Sequence, residues 1–131
     1  MPNAIEQEIM LNASPKRIYD ALLDSRQFSE FTAGGPAEIS QDAGGVFSCF
    51  GGMITGRNVE LVPGQRIVQA WRARNWPDGK YSIVKFELTA EGSGAKLRLH
   101  QDGYPEEGRE HLESGWQKMY WDPLKKYISP A

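Results

Sequence analysis

The sequence predicts an α+β fold: a curved antiparallel sheet of six to seven strands, two short helices after the first strand, and a long C-terminal helix over the concave face. Three observations predict it. Several short runs alternate apolar and polar residues with a period of two, as half-buried strands do. Glycine and proline separate these runs at spacings that suit tight turns. Finally, Leu112 to Ile128 gathers Trp116, Met119, Tyr120, Trp121, Leu124, Tyr127 and Ile128 into a helical pattern denser in large apolar side chains than anything upstream.

The elements follow in order. Ile5, Gln7, Ile9 and Leu11 alternate with Glu6, Glu8 and Met10, which makes 4–11 a strand with one largely apolar face. Ser14-Pro15 supplies an N-cap hydroxyl and a proline at the first helical position, where a missing N–H costs nothing. Ile18, Tyr19, Leu22 and Leu23 form that helix's buried side, and Asp24-Ser25 breaks it before a second helix carrying Phe28 and Phe31. Gly34, Gly35, Pro36, Gly44, Gly45, Gly51 and Gly52 then fall within nineteen residues, so only short strands fit between them, at 37–40, 46–50 and 53–62. Gly51-Gly52 reads as a hairpin turn. Further strands follow at 66–74, 81–89 and around Leu97 and Leu99, divided by Trp76-Pro77-Asp78-Gly79 and Glu91-Gly92-Ser93-Gly94. Glu106, Glu107 and Glu110 suit the positive end of the last helix dipole. In that helix Leu112, Trp116, Met119, Tyr120 and Tyr127 fall on one stripe. Pro123 should bend or break it, and Gly115 should allow a close approach to a neighbouring element.

At 131 residues the chain fits one domain, residues 1–131, that can bury a core without staples. A net charge of -2 with 24% charged residues offers no electrostatic footprint for nucleic acid or anionic lipid. Cys49 is the sole cysteine, the first residues lack a basic segment followed by an apolar run, and no stretch is long and apolar enough for a membrane span. The expected location is the cytoplasm, with no nucleic acid and no membrane partner.

Candidate chemistry is sparse. His100 and His111 with one cysteine cannot supply the three or four ligands of a metal site, and no pattern implies a cofactor. His100 falls on a polar strand face, Cys49 reads as a small buried apolar residue, and no nucleophile elbow or phosphate loop is present, so no catalytic residue is assigned. Asp102 and Glu106-Glu107 could bring a carboxylate to a cavity mouth, but a strand end and a helix start explain them. A twisted sheet closed by one helix is hard to fill, and an unfilled remainder would be an apolar small-molecule site. Its expected lining is Trp71, Phe86, Trp116, Met119 and Tyr120; most of Arg57, Arg72, Arg74 and Arg98 are expected to be exposed, although one pointing inward could pair a ligand carboxylate. Val46, Phe47 and Phe50 read either as core or as an edge able to pair with a second copy.

Ile67-Val68-Gln69-Ala70-Trp71-Arg72, Trp76-Pro77-Asp78-Gly79 and Ser114-Gly115-Trp116-Gln117-Lys118-Met119-Tyr120-Trp121 resemble the activator of 90-kDa heat shock protein ATPase homologue family, part of the START-like, or SRPBCC, superfamily. Tyr19, Phe31, Gly44-Gly45-Val46-Phe47, Gly56 and Leu61-Val62-Pro63 extend the likeness over nearly the whole chain. The resemblance implies the helix-grip fold. It also implies two roles. Co-chaperones of the family carry this domain behind a separate domain that grips the chaperone, whereas stand-alone members of the superfamily bind lipids, hormones or other apolar ligands. With its length filled by one fold, the sequence is expected to be a stand-alone domain, so a small apolar or amphipathic ligand is the leading partner. A chaperone is the alternative, and a cavity enzyme, cyclase or hydrolase, the third.

Overall fold

The computed structural model describes residues 4–128; residues 1–3 and 129–131, the ends of the expected domain, lie outside them. Seven antiparallel strands form one sheet in the order β1-β7-β6-β5-β4-β3-β2. They are β1 (Ile5–Leu11), β2 (Glu38–Ile39), β3 (Val46–Cys49), β4 (Ile54–Val62), β5 (Arg66–Ala73), β6 (Ser82–Glu91) and β7 (Gly94–Asp102). Strands β2 to β7 form a meander whose last strand returns to pair with β1, Ile9 opposite Leu97 and Leu11 opposite Ala95. The period of two holds along β6: Ser82, Val84, Phe86 and Leu88 are buried and Ile83 is exposed.

Helices α1 (Pro15–Leu23) and α2 (Ser25–Thr32) start where the cap residues direct. Ser14 Oγ accepts from the Arg17 N–H at 3.2 Å. Asp24 serves both helices, closing α1 through its own N–H to the Asp20 carbonyl and capping α2 by accepting from the Gln27 N–H at 2.9 Å. Strand β2 is shorter than the expected 37–40. The Ala37 N–H goes to Ser29 Oγ at 3.0 Å and the Ile39 N–H to Ser25 Oγ at 2.8 Å, so α2 takes donors that a further strand would need. The expected hairpin at Gly51-Gly52 is a 3-10 turn, Phe50–Gly52, entered through a left-handed Phe50 (φ 55°).

The C-terminal helix is continuous but not uniform. It runs as α3 (Arg109–Gly115), a π-helical stretch (Trp116–Trp121) and α4 (Asp122–Ile128), after a 3-10 turn, Glu106–Gly108, that holds the first two glutamates. Pro123 neither breaks nor ends it. The Asp122 N–H reaches back five residues to the Gln117 carbonyl, and Pro123, with no N–H to give, is the second residue of α4. This register also corrects the expected stripe. On an α-helix Trp116 and Trp121 would point roughly 140° apart; the wider turn brings both inward, stacked 5.6 Å apart at 16°, and turns Met119 out. Gly115 does not serve a close approach, since a Cβ there would meet open space. The end of α4 rests on the helix pair: Tyr127 lies 5.9 Å from Phe31, under the Arg17 guanidinium, and donates to Glu30 Oε1 at 3.0 Å.

Candidate functional site

The space between helix and sheet holds an aromatic cluster. The Trp116 ring lies 5.4 Å from Trp71, 5.7 Å from Phe86 and 4.4 Å from Tyr120. Tyr120 in turn lies 5.6 Å from both Phe28 and Phe50, edge to face. Of the five expected lining residues, Trp71, Phe86, Trp116 and Tyr120 are therefore brought together and buried, while Met119 is 43% exposed on the outside of the helix. Beside them remains a void of about 10 Å³, bordered by Leu22, Cys49, Gln69, Phe86 and Tyr120 among others. That is room for one water at most, against the several hundred Å³ of a typical ligand site.

Polar groups within this core are paired off. The Trp116 indole N–H donates to Gln101 Oε1 at 2.8 Å, Gln101 Nε2 to Ser82 Oγ at 3.0 Å, and the Ser82 hydroxyl to the Trp71 carbonyl at 3.0 Å. At the sheet's edge, Trp121 donates to Gln7 Oε1 at 2.6 Å, and Gln7 Nε2 to the Glu113 carbonyl at 3.3 Å. Further across, Gln69 Nε2 donates to Asn58 Oδ1 at 3.2 Å, and Asn58 Nδ2 to the Ser40 carbonyl at 2.7 Å. Among the described residues no buried side-chain nitrogen or oxygen is left without a partner. Indoles and glutamines thus lock the helix onto three strands, β1, β7 and β6. Of the residues read as core or as a pairing edge, Phe47 and Phe50 are core and Val46 is exposed, while the glutamines were not assigned a role; their signal was their place on the apolar side of the alternation.

The remaining candidates are distributed without a reactive pairing. Cys49 is buried, and burial pushes its thiol up to about 12. Burial also pushes the Tyr120 hydroxyl well above its ordinary value. His100 stands on the outer face, 3.8 Å from Glu6. Arg57, Arg72 and Arg98 lie on that face too, and Arg74 is exposed past the end of β5, so none of the four turns inward to meet a ligand. Asp102 accepts from the Gly103 N–H at 2.9 Å, and Glu106 and Glu107 are exposed. Over β1, β7 and β6 the outer face has a shallow depression of about 380 Å³. Four of its charges form ion pairs, Arg98 with Glu8 at 3.3 Å and Lys85 with Glu87 at 3.9 Å.

One pH dependence follows from the buried thiol and phenol. The unfolded thiol ionises near 9.0 and the folded one near about 12, so between these values unfolding releases a proton and stability falls as pH rises. Tyr120, whose folded value lies above 10.0, acts in the same direction. Urea midpoints should hold level up to about pH 8 and decline from pH 9 upward. Cys49→Ala and Tyr120→Phe should each flatten the decline; an unchanged slope in both would contradict the assignment.

Comparison with known proteins bears on the whole arrangement. The sequence model of the family described as "Activator of Hsp90 ATPase homolog 1-like protein" matches residues 12–129. The chain is 28% identical over 113 residues to the human activator of 90 kDa heat shock protein ATPase homolog 1, covering 86% of this chain and 33% of that protein. It is 33% identical over 117 residues to the activator homolog of Dictyostelium discoideum, covering 88% and 30%. The chain spans about a third of the length of the curated relatives it matches. Among solved structures, an HSP90 activator from Plasmodium falciparum has the same fold, with a TM-score of 0.90 at 24% identity over 95% of each chain. A protein from Chromobacterium violaceum aligns with a TM-score of 0.80 at 29% identity, over 99% of this chain and 100% of that one. Such neighbours share the helix-grip architecture expected from the sequence.

Proposed function

The chain belongs to the Activator of Hsp90 ATPase homolog 1-like protein family, and from that membership we propose that it is a chaperone-interaction module whose partner is a 90-kDa heat shock protein. The observation that carries this reading is the family match across 12–129, which takes in nearly every element of the fold. The filled interior supports it. With a void of about 10 Å³ and its core polar groups already paired, the domain has its surface to offer a partner. Interior ligand binding, the leading expectation from the sequence, would require Trp71, Phe86, Trp116 and Tyr120 to part first.

Titrating the purified protein into the 90-kDa heat shock protein of the same cells tests the proposal. Saturable binding is expected, together with faster ATP hydrolysis by the chaperone. A flat binding isotherm across micromolar concentrations would remove the reading.

A further inference from the structure

An antiparallel sheet with one face on the core ordinarily carries polar residues on the other. Four central strands depart from that pattern. The register sets Val46 opposite Arg57, Arg57 opposite Ala70 and Ala70 opposite Ile83, all on the outer face, as one row across β3, β4, β5 and β6. Val46 is 58% and Ile83 47% exposed. Tyr81, just before β6 and 49% exposed, adds an aromatic face beneath the Arg72 guanidinium, 5.8 Å from the ring centre.

The two arginines of this patch are held by carbonyls. Arg57 Nη1 donates to the Gly44 carbonyl at 2.6 Å, and Arg72 Nη2 to the carbonyls of Trp76 at 2.7 Å and Pro77 at 3.2 Å. Neither forms an ion pair among the described residues, whereas Arg66 and Arg98 elsewhere on the face are matched to Glu60 and Glu8. Carbonyl bonds fix a guanidinium's direction without cancelling its charge, and a carboxylate brought to it would gain a charge-assisted hydrogen bond. Apolar side chains beside fixed, unmatched cations, on a protein of net charge -2, complement an acidic and apolar surface.

We propose that this outer face docks an acidic, apolar-bearing segment of the chaperone. The inference rests on the chaperone-interaction reading and names the surface that serves it. It is tested by measuring binding of the cognate 90-kDa heat shock protein to the wild type and to Ile83→Glu, Arg57→Glu and Arg57→Ala, with Met10→Glu as the comparison. Met10 is equally exposed but lies on edge strand β1. All three positions are on the surface, and circular dichroism checks that each of the four variants keeps its fold. Ile83→Glu and Arg57→Glu should weaken binding at least about tenfold, Arg57→Ala less, and Met10→Glu less than about twofold. If the wild type binds and none of the patch variants weakens it, the chaperone reading stands and this surface is overturned. If the wild type does not bind, both fall. If the wild type instead self-associates and Ile83→Glu dissociates it, the occupant is a second copy and the proposal is overturned.

Discussion

Replacing Trp116 with alanine is expected to lower the free energy of unfolding by about 3–5 kcal/mol, the range for deleting a buried aromatic ring. The Trp116 side chain is the hub of the interior, with Trp71, Phe86, Tyr120 and Trp121 all within 5.7 Å between ring centres. Its loss opens a cavity that the sheet on one side and the helix on the other are too rigid to close. It also orphans Gln101 Oε1, fully buried, which accepts the indole N–H. A stranded buried acceptor adds about 1–3 kcal/mol. Against the usual 5–15 kcal/mol of total stability, the variant should stand close to unfolding. Urea denaturation of Trp116→Ala beside Trp116→Phe separates the two effects. Phenylalanine keeps much of the ring but loses the donor, so it should cost about 1–3 kcal/mol. Equal losses would mean the hydrogen bond dominates; a loss below about 1 kcal/mol in the alanine variant would deny Trp116 its central place.

Much of this arrangement was legible in the sequence because its physics is local. Alternation in β6 and β7, the Ser14-Pro15 start of α1 and the Asp24 break depend on residues a few positions apart, and each element forms within a residue or two of where they place it. The π-helical turn was not legible, because reading a stripe assumes 100° per residue, and one wider turn sends Met119 outward and Trp121 inward. The closed interior depends on how several separate elements meet. Yet Gln7, Gln69 and Gln101 each continue an apolar alternation, Ile5-Gln7-Ile9, Ile67-Gln69-Trp71 and Leu97-Leu99-Gln101, and all three point into the core. A glutamine in register with core residues needs a buried partner. Four tryptophans in one small domain are the evident supply of N–H donors, so the locking of Trp116 and Trp121 was within reach of the sequence.

Substituting Gly56 should be as damaging as losing Trp116, for a different reason. Gly56 is an inward position of β4, paired with Phe47 on one side and Trp71 on the other. A Cβ there would overlap the Ala70 carbonyl oxygen and come within 2.8 Å of the Phe47 ring, which lies across the glycine. The arrangement covers a strand glycine with a cross-strand aromatic, so the sheet can tolerate a residue of low strand propensity. Overpacking normally costs about 1–3 kcal/mol because side chains rotate aside. Here one obstacle is backbone in the neighbouring strand, so Gly56→Ala should exceed that range and Gly56→Val should not fold. Two obstacles allow a decisive comparison. If the Phe47 ring were the whole conflict, Phe47→Ala in the Gly56→Ala background would restore stability in thermal unfolding. Because the Ala70 carbonyl cannot withdraw without separating β4 from β5, the double variant should remain at least as unstable as Gly56→Ala alone, and recovery would show that the ring alone excludes a side chain at this position.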